Sequence, residues 1–185
     1  MATAAEAAAM GVASDALAPL NRWHLKRATR CIARGGVIAY PTEAVWGLGC
    51  DPFNAGAVLT LLALKQRPLE KGLIVIASDL QQLLPLVKTP PPALAKQLAQ
   101  TWPGPVTWLL PARPETPLWL RGKHDSLAVR VTAHPVAAAL CRHMGMPLVS
   151  TSANPAGRPP ARSALHVRRY FPGLIDYIVP GVAGG

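Results

Sequence analysis

The sequence predicts a single α/β domain: an open, twisted, mixed sheet with flanking helices. Three observations carry this. Short apolar runs alternate along the chain with segments of helical spacing. The 185 residues suit one domain with a real core. Half of the residues are hydrophobic and 15% are charged, which excludes a disordered chain.

The elements follow in order. Asn21 to Arg34 reads as a basic helix closed by Gly35 and Gly36. Val37 to Tyr40 is a short buried strand, and Pro41 to Gly49 reads as a polar turn after it. Asn54 is placed to cap a helix reaching Gln66, with Val58, Leu61, Leu62 and Lys65 at helical spacing and Pro68 as its stop. Leu73 to Ala77 is an apolar strand, with an Asp79-led helix after it. A helix from Pro92 to Trp102 ends in a Trp-Pro-Gly-Pro turn. Val106 to Leu110 and Leu127 to Val131 are strands, and Pro135 suits the first turn of a helix ending near Gly145. Pro147 to Ser150 is a strand, Ser163 caps a helix to about Phe171, and Tyr177 to Val179 is the last strand. The helices at 54–66 and 134–144 are the expected crossovers between strands.

The domain is expected over 19–185, after an alanine-rich loose leader at 1–18 in which Met10 offers an alternative start. That leader lacks a basic beginning and carries Glu6, Ser14 and Asp15, so it makes a poor signal peptide. No apolar stretch approaches the ~20 residues of a membrane helix. Three scattered cysteines, Cys31, Cys50 and Cys141, lack metal-ligand spacing and fit a reducing compartment. A cytoplasmic protein without a membrane partner is expected. The net charge is +10, from 19 basic and 9 acidic residues. That field favours anionic ligands such as nucleotides or RNA. A base composition enriching Ala, Pro and Arg together would give the same excess.

Four groups could carry chemistry. Lys65 and Arg67 offer a compact charge and a bidentate fork suited to a phosphate chain. Cations in a last helical turn also simply complement the macrodipole. Ser150, Thr151, Ser152 and Asn154 follow a strand and can wrap an anion with hydroxyls, an amide and backbone N–H groups, or form an ordinary polar turn. Thr42 and Glu43 follow another strand, near Gly47 and Gly49. Arg130, within Leu127 to Val131, is either an outward edge residue or a buried cation aimed at a carboxylate, and Ser126 precedes it.

Other chemistries lack their residues. No nucleophile is paired with a histidine, and the P-loop and Rossmann fingerprints are absent. His24, His124, His134, His143 and His166 show no ligand spacing and read as surface or capping residues. With so few carboxylates, no protein metal site is expected, and any Mg²⁺ would be held mainly by ligand phosphates and water.

Taken together, six segments resemble the YrdC/TsaC family, the threonylcarbamoyl-AMP synthases of tRNA modification. They are Tyr40-Pro-Thr-Glu-Ala-Val-Trp-Gly-Leu-Gly49, Leu64-Lys-Gln-Arg-Pro68, Lys71-Gly-Leu-Ile74, Trp102-Pro-Gly-Pro-Val-Thr107, Ser126-Leu-Ala-Val-Arg130 and Ser150-Thr-Ser-Ala-Asn154, in family order over about 21–185. The resemblance implies a YrdC-like fold with a basic concave face. It implies a nucleotidyltransferase making L-threonylcarbamoyl-AMP and pyrophosphate from ATP, L-threonine and bicarbonate. A partner complex would then transfer the threonylcarbamoyl group to the tRNA adenosine beside the anticodon. The family's catalytic tetrad maps onto Lys65, Arg67, Ser152 and Asn154. By the same resemblance, Thr42, Arg130, Ser150 and Ser152 hold threonine, while Lys65, Arg67, Ser126 and Asn154 meet the nucleotide.

Two features depart from the family pattern. Trp46 stands where Tyr is commoner, and a Pro-Ser-containing strand usual in relatives has no counterpart after Gly181. Two rival readings differ in class: a non-catalytic RNA-binding module using the basic face, and a carbamoyl-adenylate-forming domain of hydrogenase maturation.

Overall fold

A computed structural model describes residues 21–184, so the leader expected at 1–18 lies outside the described residues. The first helix, α1 (Arg22–Ala33), begins where the Asn21 side chain accepts the N–H groups of Trp23 and His24. Strands β1 (Ile38–Pro41) and β2 (Trp46–Gly49) pair antiparallel. The stretch read as a polar turn is therefore half strand. Its glycines hide the alternation, and they are needed: a Cβ on Gly49 would lie 2.5 Å from the Val149 carbonyl oxygen and 2.7 Å from the Tyr40 ring.

Helix α2 (Ala55–Lys65) is capped by the Asn54 side chain, as expected. It stops before Pro68. Gln66 turns left-handed at φ 51°, and its N–H and that of Arg67 close onto Ala63 and Leu62. This is a helix-ending geometry that usually takes glycine. A 3-10 turn, Leu69–Lys71, leads into β3 (Ile74–Ala77). The Asp79-led helix does not form. Asp79 does accept the Gln82 N–H at 3.1 Å, but only a 3-10 turn follows, Gln81–Leu83. Pro85 comes too soon for a longer helix.

Helix α3 (Pro92–Thr101) precedes β4 (Trp108–Pro111), which starts two residues late because the Val106 carbonyl takes the Trp102 indole N–H. A short unanticipated helix, α4 (Leu118–Arg121), leads into β5 (Ser126–Val131). Then come α5 (Pro135–Met144), β6 (Leu148–Ser152), α6 (Ala164–Tyr170) and β7 (Tyr177–Ile178).

The sheet order is β4-β5-β3-β6-β2-β1-β7. Among the described residues only β3 with β5 and β1 with β7 pair parallel. The crossover expectation therefore holds for one helix. α2 joins the parallel but non-adjacent β2 and β3, while α5 joins β5 to an antiparallel β6.

Helices cover the sheet on both faces. One core joins Val75, Val129 and Val149 to Val58 and Leu61 of α2 and Leu98 of α3. The other joins Ile38, Tyr40, Ile76 and Leu148 to Ala28 and Ile32 of α1 and Leu140 of α5. Each such buried side chain contributes ~1.5–3 kcal/mol. On that second face the cover is incomplete. The row Leu109, Ala128, Ile74, Ser150 runs across four strands in register, and Leu109 is left 71% exposed. This uncovered part of the sheet makes room for a ligand. Among the described residues no helix is long and apolar enough to cross a membrane.

Candidate functional site

The uncovered face holds two adjoining hollows. The first, about 300 Å³, is lined by Thr42, Gly47, Arg67, Arg130, Ser150 and Ser152, among others. The second, about 180 Å³, is lined by Arg67, Arg121, His124, Ser126 and Ala128 among its residues. They share Arg67, Leu73 and Ile74, so Arg67 stands at their junction.

Sheet periodicity explains the lining. In β5 burial alternates strictly: Leu127, Val129 and Val131 enter the core, while Ser126, Ala128 and Arg130 face the cleft. In β6, Ser150 and Ser152 share the face of Leu148. That strand runs two residues further than its apolar pattern suggested, so Thr151 and Ser152 belong to it rather than to a turn. Gly47 keeps the floor open, since a Cβ there would come within 3.3 Å of the Thr42 methyl and 3.6 Å of Ser150 Oγ.

Lys65 and Asn154 line neither hollow. Lys65, at the end of α2, is 5% exposed, and its ammonium is surrounded by oxygens. It donates to the backbone carbonyl of Ser152 and to that of Asn154 at 2.9 Å. Ser152 Oγ and Asn154 Oδ1 each lie at 3.3 Å. The Asn154 amide nitrogen in turn donates to the carbonyls of Pro155 and Arg158, at 3.0 and 2.7 Å, and so folds the following loop. Among the described residues no carboxylate pairs with Lys65. Burial, and then the neighbouring Arg67 charge, lower its pKa to about 8.

Arg67 is held by carbonyls as well. Its Nε and Nη2 both donate to Gly72, at 3.1 and 3.0 Å. Arg130 differs. Its Nη1 meets Glu43 Oε2 at 3.1 Å, and its Nε donates to Thr107 Oγ1 at 3.2 Å. Glu43 also accepts the Thr132 hydroxyl at 2.6 Å and the Ala133 N–H at 3.1 Å. Of the two roles open to Arg130, it therefore takes the cation aimed at a carboxylate. The Glu43 pairing was hidden in sequence because its partners lie nearly ninety residues away.

Thr42 donates its hydroxyl to the Val45 carbonyl at 2.7 Å, and its own carbonyl accepts the Gly184 N–H at 3.1 Å. Beside it His134, read as a surface or capping residue, stands at the N-cap of α5 with its ring buried. Its Nε2 lies 3.1 Å from the Val182 carbonyl, a pure acceptor, so Nε2 carries the proton and the buried Nδ1 is left without a partner. Burial lowers the pKa of this ring. Among the described residues no three His, Cys, Asp or Glu side chains gather to hold a metal ion.

The Sua5/YciO/YrdC family model, described as "Telomere recombination", matches residues 30–184. A protein of Nitrosococcus oceani named threonylcarbamoyl-AMP synthase is 57% identical over 162 residues, covering 88% of each chain. One of Pseudomonas aeruginosa with the same name is 58% identical over 166 residues, covering 90% of this chain and 89% of its own. The crystal structure of P. abyssi Sua5 complexed with L-threonine superposes with a TM-score of 0.83 at 34% identity. That match covers 89% of this chain and 48% of Sua5, so the chain spans about half the length of that protein.

The Glu43 network yields a stability prediction. Glu43→Gln removes the charge that Arg130 faces and is expected to lower unfolding free energy by about 1–3 kcal/mol, read from urea denaturation. Combined with Thr132→Val, the two losses should fail to add by more than about 0.5 kcal/mol. Additive losses would show that Glu43 does not organise this corner.

Proposed function

The chain belongs to the Sua5/YciO/YrdC family, and on that premise we propose that its cleft makes L-threonylcarbamoyl-AMP from ATP, L-threonine and bicarbonate. The activity is that of a threonylcarbamoyl-AMP synthase, the name its relatives carry. The observation that supports it best is Arg67 at the junction of the two hollows. An amino acid in the first and a nucleotide in the second would meet at its guanidinium.

In this reading Thr42, Ser150 and Ser152 orient threonine, and Arg130 attracts its carboxylate with the nitrogen that Glu43 and Thr107 leave free. Ser126 faces the nucleotide, and Lys65 and Asn154 fix Ser152 and its loop against the phosphates. The threonine amine loses a proton and takes up carbon dioxide from bicarbonate to give a carbamate. A carbamate oxygen then forms a bond to the α-phosphorus as the bond to the β-phosphate bridging oxygen breaks, and pyrophosphate leaves. The carbamate is already an anionic nucleophile, so no strong base is required. The demands are alignment and stabilisation of charge on the α-phosphate and leaving group. Lys65 and Arg67, which have no ion-pair partner among the described residues, meet the second demand.

Mg²⁺ would enter with the triphosphate, which neutralises it through phosphate oxygens and water; the chain would add hydroxyls at most. The threonylcarbamoyl group would pass to tRNA through a partner complex, which places the protein with tRNA in the cytoplasm.

Two outcomes test this. Arg67→Ala should lower pyrophosphate release dependent on threonine and bicarbonate by ~100-fold or more; near wild-type turnover removes Arg67 from the reaction. The second is a pH profile. Lys65 is cationic below its pKa of about 8 and neutral above it. At saturating threonine, kcat/KM for ATP should therefore fall as pH rises through that region. Because Arg67 depresses that pKa, the residual activity of Arg67→Ala should fall at higher pH than wild type. A limb that stays in place in the variant would assign it to another group.

A further inference from the structure

A hollow larger than either of those in the cleft lies elsewhere on the molecule. It is a groove of about 710 Å³ along α1, lined by Trp23, Lys26, Arg27, Arg30, Arg34 and Tyr177 together with Asp176 and others. None of its residues lines the two cleft hollows. We propose that this groove is an RNA-binding surface, separate from the synthase cleft and not dependent on that reading.

Charge is the first argument. Between Asp15 and Glu43 the chain has no acidic residue, and α1 with its C-cap presents Arg22, Lys26, Arg30 and Arg34 at intervals of four, the last three lining the groove beside Arg27. Such spacing stacks like charges on one helix face, which opposes helix formation. All four groove cations are exposed, and none has an ion-pair partner among the described residues. Asp176 is the one acid in the lining, and one of its oxygens is occupied by the Val37 N–H at 2.8 Å. The cation row rises about 6 Å per step, a separation comparable to that of successive phosphates on an RNA strand.

Aromatic rings are the second. Trp23 is 57% exposed. Arg27 lies over it at 5.1 Å and over Tyr177 at 5.3 Å, so a guanidinium and two rings form a platform beside the cations. Cationic grooves with stacking rings suit unpaired bases and their backbone. A membrane surface is the poorer fit, because the apolar side of α1, Ala28 and Ile32, is buried in the core and leaves Trp23 as the one large apolar side chain the helix exposes.

The test uses the full chain with two fluorescent probes, a single-stranded 12-nucleotide RNA and an unmodified tRNA transcript, read by anisotropy at 50 and 200 mM salt. Arg27→Glu with Arg30→Glu should weaken binding of both by about tenfold or more and reduce the salt slope by about 2. Pyrophosphate release should stay within about twofold. Trp23→Ala should weaken the single strand more than the transcript. If circular dichroism shows that the reversal disturbs folding, Lys26→Gln with Arg34→Gln carries the same expectation without reversed charge. Unchanged RNA affinity in these variants, no RNA binding at all, or binding only to phosphatidylserine vesicles each overturns the proposal. So does RNA binding lost only in Arg67→Ala, which assigns it to the cleft.

Discussion

A buried ammonium, unpaired with any acid among the described residues, organises this molecule. Lys65 ends α2, and its three protons are shared among oxygens of Ser152 and Asn154, some ninety residues along the chain. Taking a charge out of water without a counter-ion is expensive unless it is well hydrogen-bonded. Neutral carbonyls and a hydroxyl supply those bonds without cancelling the charge. The Ala156 N–H returns a bond to the Lys65 carbonyl at 3.1 Å, so helix end and loop are tied twice. The result is a fixed positive field at the end of β6, where an open sheet face already leaves space.

The three cations singled out in the sequence are held in three ways. Lys65 meets neutral oxygens, Arg67 leans on the Gly72 carbonyl, and Arg130 is paired with Glu43. The Arg130 charge is therefore met by a carboxylate and the Arg67 charge by a carbonyl, while Lys71 and Arg121 add cations to the second hollow. Positive charge at the junction and in the second hollow suits a phosphate joined to a nucleoside, with an amino acid on the side of Arg130. Gln66 contributes by its conformation. Its left-handed turn ends α2 and directs the chain so that Arg67 leaves the helix axis and enters the cleft while Lys65 stays behind it.

Local grammar made much of the fold legible. Asn54 and Ser163 cap the helices that follow them, and Pro135 opens α5. The run Leu127 to Val131 reads as a strand, and β5 contains it with Ser126 as its first residue. What escaped was decided by distant partners. Trp46 to Gly49 reads as a turn until Tyr40 and Val149 are seen to need glycine opposite them. Asp79 looks like any helix cap, and only Pro85 limits it to a 3-10 turn. The Glu43 and Arg130 pair, and the burial of His134 under Val182, depend on contacts between segments that share no local pattern.

A crystal structure of the chain with a non-hydrolysable ATP analogue and L-threonine tests the central claim most directly. Threonine is expected beside Thr42, Ser150 and Arg130, the base near Ser126, and the α-phosphate within hydrogen-bond reach of the Arg67 Nη atoms. A nucleotide bound elsewhere, with Arg67 still closed on the Gly72 carbonyl and the two hollows empty, would contradict it.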